Sequence, residues 1–581
     1  MTAPGAATAP QAGPPDPPSA EPTAPAPAAG SVAPADVKPA GPGDTEPAGS
    51  VARNSATMAL GSLVSRATGF LRTTAIGAAI GAVAVGDSYT VANTLPNLVY
   101  ELLVGGVLTS VIVPVLVRVR KSEPDRGEAY VQRLLTLGTL FFGVATVLAV
   151  ASAPLLTALI TNRDTPAADR QLTTTLAYLL LPEIFFYGMA ALIAAVLNSR
   201  GHFAAPMWTP ILNNIVVIST AVVFALLPFT GELTPESITQ TQVLVLGIGT
   251  TLGIVVQATG LWPALRRTGF RWRWRWDLRQ LRLGELARLG SWLLLYVGVS
   301  QVGVMVVLKI ATWAGDRGGP GPAVFNTGFL VFMMAHGIVA VSIITALLPR
   351  MSAAVADGRP GELAAHLSLG TRMSAVILLP AAAGYVVLGQ PIVVTLFEYG
   401  EFEHSEAVAT GWVIAVTGLA LIPYVISQIQ IFVYYALSDT KLPALINIPV
   451  VALRIAIDVA LFLVLPAAWV AVGLMAGSTV SFVVGALLGY LLLRRRLGRL
   501  GLAATAGTLG RLSIAALVGG LGAFGVRLLA VQAWGEGHLS SLAQLVLGGA
   551  VLLGGYLGMA LLLRIQEIRD LAVMLRTRLG R

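Results

Sequence analysis

The stretch AVFNTGFLVFMMAHGIVAVSIITALLP, residues 323–349, contains no Asp, Glu, Lys or Arg. At 1.5 Å of rise per residue, a helix of this length crosses a hydrocarbon core about 30 Å thick. Comparable apolar runs recur from residue 57 to residue 564. A helix satisfies its own backbone hydrogen bonds in lipid, and these runs are too long and continuous for barrel strands. The sequence therefore predicts an all-α integral membrane protein.

Composition supports the same class. The 581 residues are 55% hydrophobic and only 12% charged, with a mean hydropathy of +0.77. A soluble domain is about one quarter charged, so most of this surface faces something other than water. The chain has no cysteine, which excludes disulfides, thiolate metal sites and thiol nucleophiles. We predict neither a metal site nor a bound cofactor.

The apolar runs predict fourteen transmembrane helices, whose ends a sequence pattern places to within several residues. We place them at 57–81, 87–116, 132–160, 171–197, 207–229, 241–265, 287–313, 323–349, 373–397, 408–437, 442–465, 467–493, 511–533 and 541–564. A long basic segment separates the first six spans from the rest, as expected of a two-lobed transporter. The predicted domains are a tail (1–52), an N-terminal lobe (53–265), a basic linker (266–286), a C-terminal lobe (287–496) and a last pair of spans with the C-terminus (497–581).

The distribution of basic residues predicts the orientation. With the N-terminus in the cytoplasm, the cytoplasmic loops and termini hold thirty of the 38 Lys and Arg residues. The opposite loops hold only Arg163, Arg170, Arg317 and Arg527. Cytoplasmic loops of membrane proteins carry excess Lys and Arg, so we expect both termini to be cytoplasmic.

Two polar segments lie outside the spans. Residues 1–52 are mostly Ala, Pro, Gly, Thr and Ser, which predicts a disordered tail, either simply solvated or a partner-binding arm. Residues 271–276, RWRWRW, alternate cation and aromatic just before the seventh span. Stacking on nucleic acid is one interpretation. Anchoring to anionic headgroups at the membrane surface is the interpretation we favour, so no nucleic-acid partner is expected.

Four basic residues fall inside spans: Arg66, Arg72, Lys309 and Arg454. A charge at mid-bilayer costs at least about 2.5–3.5 kcal/mol, so such residues usually face a cavity or a partner. Arg66 and Arg72 are six residues apart, about 9 Å along a helix, and both can border one wide cavity. The alternative is a structural role, with Arg72 meeting Asp87.

The other two intramembrane cations each leave two interpretations open. Arg454 and Asp458 are i, i+4 neighbours, which predicts either an ion pair or an ion-coupling site at which Asp458 exchanges Arg454 for a proton or cation. Lys309 has no acid nearby in sequence. It either extends to the membrane interface or adds charge to the central cavity.

Several motifs together resemble one family. They include SRATGFLRTTAIGAAIG (65–81), GDSYTVANTLPNLVYELLVGG (86–106), AAVLNSRGHFAAPMWTPILNNI (194–215), LFEYGEF (396–402) and YYALSDTKLP (434–443). LPNL and LFEYGEF together are quite specific, whereas any one glycine-rich piece alone is weak. In order and spacing they resemble the MurJ/MviN family of lipid II flippases, within the multidrug/oligosaccharidyl-lipid/polysaccharide exporter superfamily. The resemblance extends from about residue 57 to the end.

The resemblance implies two six-helix lobes around a central cavity, with the last two helices shaping a lipophilic groove. It implies alternating access that carries lipid II, the undecaprenyl-pyrophosphate-linked disaccharide-pentapeptide of cell-wall synthesis, from the inner to the outer leaflet of the bacterial plasma membrane. Arg suits a pyrophosphate because its guanidinium is a planar fork of donors with a permanent charge.

By position, Arg66 and Arg72 match the family's two arginines of the first span. With Lys309, they are expected to contact the pyrophosphate. Asp87 matches an acid that opens the second span, and we expect Asp87, Asn97 and Glu101 to line or gate the cavity.

The chain departs from the family at three positions. Tyr100 and Glu101 stand where better-known members have two arginines, and Leu330 stands where they have one in the eighth span. The two cavity arginines that are missing, of the family's four characteristic ones, are those at the positions of Tyr100 and Leu330, and Lys309 is the candidate to replace one. Asp458 keeps the acid of the eleventh span, where Arg454 could take the place of a sodium ion.

The function predicted is therefore a lipid II flippase. No phosphate loop of the GxxxxGK[ST] type is present, so we expect the membrane potential or an ion gradient to supply the energy, and no enzymatic activity. Expected partners are lipid II, membrane lipids and cell-wall synthases. The alternatives are an exporter of another polyprenyl-linked glycan and a non-transporting scaffold of a cell-wall assembly complex. A drug/cation antiporter is disfavoured, because such a transporter needs carboxylates in its cavity and the first span offers arginines.

Overall fold

The computed structural model describes residues 48–104, 112–229, 231–277, 281, 283–498 and 500–568, and no strand occurs within these ranges. The predicted tail lies almost wholly outside the described residues. The helices are α1 (Ala48–Ile80), α2 (Val85–Val104), α3 (Val113–Ser122), α4 (Glu128–Ala151), α5 (Ala153–Ile160), α6 (Ala167–Leu180), α7 (Glu183–Ser199), α8 (Ala204–Ala225), α9 (Gln240–Gly260), α10 (Trp262–Arg267), α11 (Leu283–Gly315), α12 (Pro322–Ala356), α13 (Pro360–Phe397), α14 (His404–Ala436), α15 (Lys441–Val464), α16 (Ala467–Leu497), α17 (Leu502–Trp534), α18 (His538–Ala543) and α19 (Gly549–Leu562). A π-helical turn, Gln544–Gly548, joins α18 to α19.

The all-α membrane fold is confirmed. Among the described residues, twelve helices or continuous helix pairs, from α4 onward, are long and apolar enough to cross a membrane. They coincide with the third to fourteenth predicted spans. Helices α1 and α2 lie where the first two spans are predicted, with residues 105–111 outside the described part of the second.

Proline divides two of the predicted spans. Pro154 follows the break between α4 and α5, and Pro182 lies between α6 and α7. Proline lacks the backbone N–H that a helix interior needs, so the helix ends or bends beside it. The second break starts α7 at Glu183 inside the protein, which matters for the site below.

The helices pack into an N-terminal and a C-terminal group with separate cores. Apolar side chains of α2, α6 and α9 form the first core, and those of α12, α13, α14 and α16 form the second. Their most buried members include Val91, Leu176, Leu180 and Leu246 in the first, and Phe332, Phe397, Ile414 and Leu474 in the second. Helices α17 and α19 pack against each other and against α13, where the Tyr556 hydroxyl donates to the carbonyl oxygen of Val376 at 2.7 Å.

The Arg/Trp segment lies as extended chain along the start of α4. The Gln132 side chain donates to the carbonyl oxygen of Arg271 at 2.8 Å and accepts from Arg275 Nε at 2.8 Å. Arg133 forms an ion pair with Asp277 at 2.7 Å, and this contact lowers the pKa of the Asp277 carboxyl. The two outermost indoles, Trp274 and Trp276, are 56% and 70% exposed. Headgroup anchoring by this segment stays a prediction.

Candidate functional site

A cavity of about 260 Å³ lies between the two helix groups. Its wall comes mainly from α1, α2, α7, α8, α9 and α12. Among the described lining residues, Arg72 and Glu183 are the only two with charged side chains. Arg72 of α1 is therefore the one cation that this cavity offers to a ligand.

The rest of the wall is rich in neutral hydrogen-bonding groups. The predicted residue Asn97 lies in it and donates to the carbonyl oxygen of Asn93 one turn earlier, at 2.9 Å. The other polar lining groups include the amides of Asn93, Asn213 and Asn326 and the hydroxyls of Tyr89, Tyr187 and Thr250. Amides and hydroxyls both donate and accept, so this wall suits a polar headgroup with many oxygen atoms.

Arg66 lies on α1 nearer its N-terminus than Arg72 and is not among the described residues that line this cavity. Its guanidinium packs directly against Gly337 of α12, where a larger residue would collide with it. It also acts electrostatically on the neighbouring His336. Glycine at 337 thus leaves room for the Arg66 side chain between the N-terminal and C-terminal helix groups.

Asp87 joins the two helix groups instead of pairing with Arg72. Its Oδ1 accepts a hydrogen bond from the backbone N–H of Ala323 at 2.8 Å, in the first turn of α12, and Gly321 packs on the same carboxylate. A carboxylate at a helix N-terminus meets unpaired N–H groups and the positive end of the helix dipole. Among the described residues, no ion pair links Asp87 to Arg72.

Further bonds close the same face of the molecule. The backbone N–H of Ala82 donates to Glu406 of α14 at 2.9 Å, and that of Glu401 donates to the carbonyl oxygen of Ala78 at 3.0 Å. The Thr165 hydroxyl donates to Asp316 at 2.6 Å. We name these three contacts, together with the Asp87–Ala323 bond, the seam. They lie on the face that the charge distribution predicts to be external.

Two other predicted residues, Lys309 and Glu101, lie elsewhere. Lys309 is exposed, and its Nζ donates to the carbonyl oxygen of Leu159, at the end of α5, at 3.0 Å. It is not among the described residues that line the cavity, and its extension to the membrane interface stays a prediction. Glu101 is exposed and also outside the lining, while the Tyr100 ring packs 5.1 Å from that of Tyr187. Leu330 does line the cavity, so that part of the wall is apolar.

Arg454 and Asp458 form a close pair inside the C-terminal group. Arg454 Nε lies 3.6 Å from Asp458 Oδ2, and their side chains are 16% and 0% exposed. Neither Asp458 oxygen accepts a hydrogen bond from the described residues. Arg454 also borders a second, largely apolar cavity of about 240 Å³ between α11, α12, α14, α15 and α16. The geometry contains the ion pair; a role in ion coupling stays a prediction.

Glu183 is absent from the residues predicted from the sequence. It is fully buried, lines the cavity that Arg72 lines, and comes from the first turn of α7. The signal is present in the sequence, because Glu183 is an acid within the fourth predicted span and follows Pro182. A buried charge of either sign inside a span indicates a functional group.

Comparisons with known proteins identify relatives over most of the chain. The family model described as "Lipid II flippase MurJ" matches residues 76–564. A protein of Rhizobium meliloti named "Probable lipid II flippase MurJ" is 26% identical over 73% of this chain and 77% of its own length. The "Lipid II flippase MurJ" of Burkholderia cenocepacia is 27% identical over 76% of this chain and 82% of its own length.

Solved structures with the same fold belong to two kinds of transporter. A structure titled "Lipid II flippase MurJ, inward closed conformation" has a TM-score of 0.70 at 17% identity, covering 89% of this chain and 99% of that one. An inward-facing multidrug resistance transporter of the MATE family has a TM-score of 0.60 at 15% identity, covering 74% of this chain and 95% of that one. At these identities the likeness shows the fold.

Proposed function

This chain belongs to the MurJ family of lipid II flippases, and we propose that it carries lipid II across the bacterial plasma membrane for cell-wall synthesis. The observation that supports this most is the position of Arg72, the single cation among the described residues that line a polar cavity between the two helix groups. A guanidinium in surroundings of low dielectric binds a pyrophosphate strongly, through hydrogen bonds that the charge reinforces. The amides and hydroxyls of the wall suit the sugar part of the headgroup.

The seam supports alternating access as the transport mechanism. Its bonds join the N-terminal to the C-terminal helix group at one face only, so separation of the groups there would expose the cavity to that side. The seam uses few side chains, each bonded to one or two partners. Such a contact can open and re-form without disturbing either apolar core.

The proposal includes several points on energy and partners. The chain would bind and move lipid II without catalysing a chemical reaction, with the membrane potential or an ion gradient as energy source. It would need no cofactor, and cell-wall synthases would receive the lipid II that it delivers. Arg66 would take part in the headgroup pathway between α1 and α12, beyond the wall that Arg72 lines.

Cells depleted of their own flippase provide the test. Expression of this chain should restore lipid II at the outer surface, measured by labelling of the exposed headgroup. Arg72→Ala should lower this signal by roughly one to two orders of magnitude at equal protein level, because a hydrogen bond to a charged group contributes about 1.5–3 kcal/mol. Arg66→Ala should also reduce it strongly. Arg350→Ala, which removes an exposed arginine at the far end of α12, is the matched control.

Leu330 favours one alternative substrate, a polyprenyl-linked glycan whose headgroup needs fewer cations. In that case the wild-type chain would restore export of the other glycan and leave lipid II inside. A scaffold without transport activity would insert normally in the membrane and restore neither.

A further inference from the structure

Glu183 is a buried carboxylate with few donors. The residue is 0% exposed, and its Oε1 accepts one long bond, 3.4 Å, from the Thr251 hydroxyl of α9. Its Oε2 is buried and has no hydrogen-bond partner among the described residues. A carboxylate in water is surrounded by donors, so ionised Glu183 depends on a nearby cation.

The described residues that line the cavity with Glu183 include one cation, and the others are uncharged. Tyr89 of α2 and Tyr187 of α7 line the same cavity as neutral phenols, and the Tyr89 hydroxyl lies 3.2 Å from that of Thr250. From α8, Asn213 lines the same cavity as a neutral amide. Arg72 of α1 is the only positively charged side chain among the described residues that line this cavity.

Substrate binding changes this balance of charge. Without substrate, the positive charge of Arg72 favours the ionised form of Glu183. A pyrophosphate that takes Arg72 brings further negative charge beside a carboxylate already short of donors. Like charges in a buried site disfavour simultaneous ionisation. Either the substrate binds weakly, or Glu183 must become neutral.

We infer that Glu183 is ionised while Arg72 is free, and that Glu183 binds one proton when the pyrophosphate of lipid II binds Arg72. This inference rests on the proposed function. The proton comes from hydronium of the surrounding solution, whose O–H bond breaks as an O–H bond forms on Glu183. No other covalent bond changes, and the proton leaves again when the substrate does. Glu183 is thus a positioning residue, acting on lipid II through Arg72.

A structural role for Glu183 makes a different prediction. An acid in the first turn of α7 also interacts favourably with the positive end of the helix dipole. If that were its whole function, its removal would change protein stability and leave the pH dependence of lipid II binding as it is.

The experiment measures lipid II binding to the purified full chain in detergent between about pH 5.5 and 8.5. The pyrophosphate of lipid II is a diester and keeps its charge over this range. Uptake of one proton per lipid II predicts a dissociation constant that rises up to tenfold per pH unit where free Glu183 is ionised. Glu183→Gln, which keeps the size and an acceptor for Thr251, should bind lipid II with no such dependence. Glu236→Gln, at an exposed loop acid, should keep the wild-type slope.

A second measurement needs no variant. Adding lipid II to the wild-type chain in weak buffer with a pH indicator, at the upper end of this pH range where free Glu183 is ionised, should consume about one proton per molecule bound. An unchanged pH slope in Glu183→Gln, or no proton uptake by the wild type, overturns the inference while lipid II still binds. Absence of lipid II binding at every pH contradicts the proposed function itself.

Discussion

The contact between Arg66 and Gly337 offers a way to displace the Arg66 guanidinium without removing its charge. A methyl group at residue 337 would meet the Arg66 guanidinium, which is the flexible end of its side chain, so the protein can fold around the change. We expect Gly337→Ala to displace the guanidinium and to lower lipid II export several-fold at normal protein level. Gly143→Ala, at a helix glycine with open space around it, should leave export unchanged. Normal export by Gly337→Ala would mean that the position of Arg66 is not critical.

The Arg454–Asp458 pair predicts a stability difference between single and double variants. Asp458→Asn leaves Arg454 as a buried charge without its partner, and loss of one member of a buried pair costs about 3–5 kcal/mol. Arg454→Gln combined with Asp458→Asn removes both charges and should be closer to the wild type in thermal unfolding in detergent.

Export by the double variant then separates the two interpretations of this pair. Normal export by a stable double variant identifies a structural ion pair. Loss of export with normal stability identifies an ion-coupling site. Equal stability of the single and double variants would show that the pair is not coupled in the folded protein.

Single residues show where sequence reasoning about the site reaches its limit. The rarity of charge inside a span identifies Arg72, and the structure places it in the cavity wall together with Asn97. The same criterion selects Lys309, whose long side chain extends instead to a backbone carbonyl. Position along a helix indicates the depth of a residue in the membrane. The partner that it meets depends on which helices pack beside it, and the sequence does not give this.

At the scale of helices, apolar length predicts most of the fold, because the bilayer sets how long a span must be. What it does not predict are features caused by local geometry or by packing outside the apolar run. The break at Pro182 divides one predicted span and places Glu183 inside the protein. Helix α13 begins at Pro360, well before the predicted span at 373, because its polar first turns pack beyond the apolar run.

The packing of α17 against α19 depends on glycine. A Cβ at Gly519 would meet the backbone carbonyl oxygen of Leu552, which has no flexible end that can move aside. Small residues allow such close approach of helices in membranes. We expect Gly519→Val to separate the two helices and to destabilise the protein by about 1–3 kcal/mol, the usual cost of overpacking. Thermal unfolding in detergent measures the loss.

Glycines on the same two helices provide the controls. At Gly525 of α17 and Gly558 of α19, no neighbouring atom lies within 4 Å of the position that a Cβ would take, so Ala at either residue should leave the unfolding temperature near the wild-type value. Equal unfolding temperatures for Gly519→Val and these controls would show that the close approach contributes little. In a separate measurement, lipid II export by Gly519→Val shows whether the groove predicted beside these two helices matters for transport.

At the scale of the whole molecule, transport requires the seam to open, and the chain is well suited to a crosslinking test because it has no cysteine. Thr165 and Asp316 come from different helix groups, and their side-chain oxygens lie 2.6 Å apart. In the double variant Thr165→Cys, Asp316→Cys, a short crosslinker that attaches to each thiol through a disulfide should join the N-terminal and C-terminal helix groups. We expect lipid II export to stop on crosslinking and to return when a reductant cleaves the link.

The matched control places the same crosslink within one helix group. Thr157 and Thr174 belong to α5 and α6, and their hydroxyl oxygens lie 3.0 Å apart. Because α5 and α6 pack together within the N-terminal group, a crosslink between cysteines at these positions should leave the seam free to open and export intact. Continued export with the 165–316 link fully formed would mean that the N-terminal and C-terminal groups need not separate at this face. Alternating access through the seam would then be wrong, although the cavity and Arg72 could still bind the headgroup.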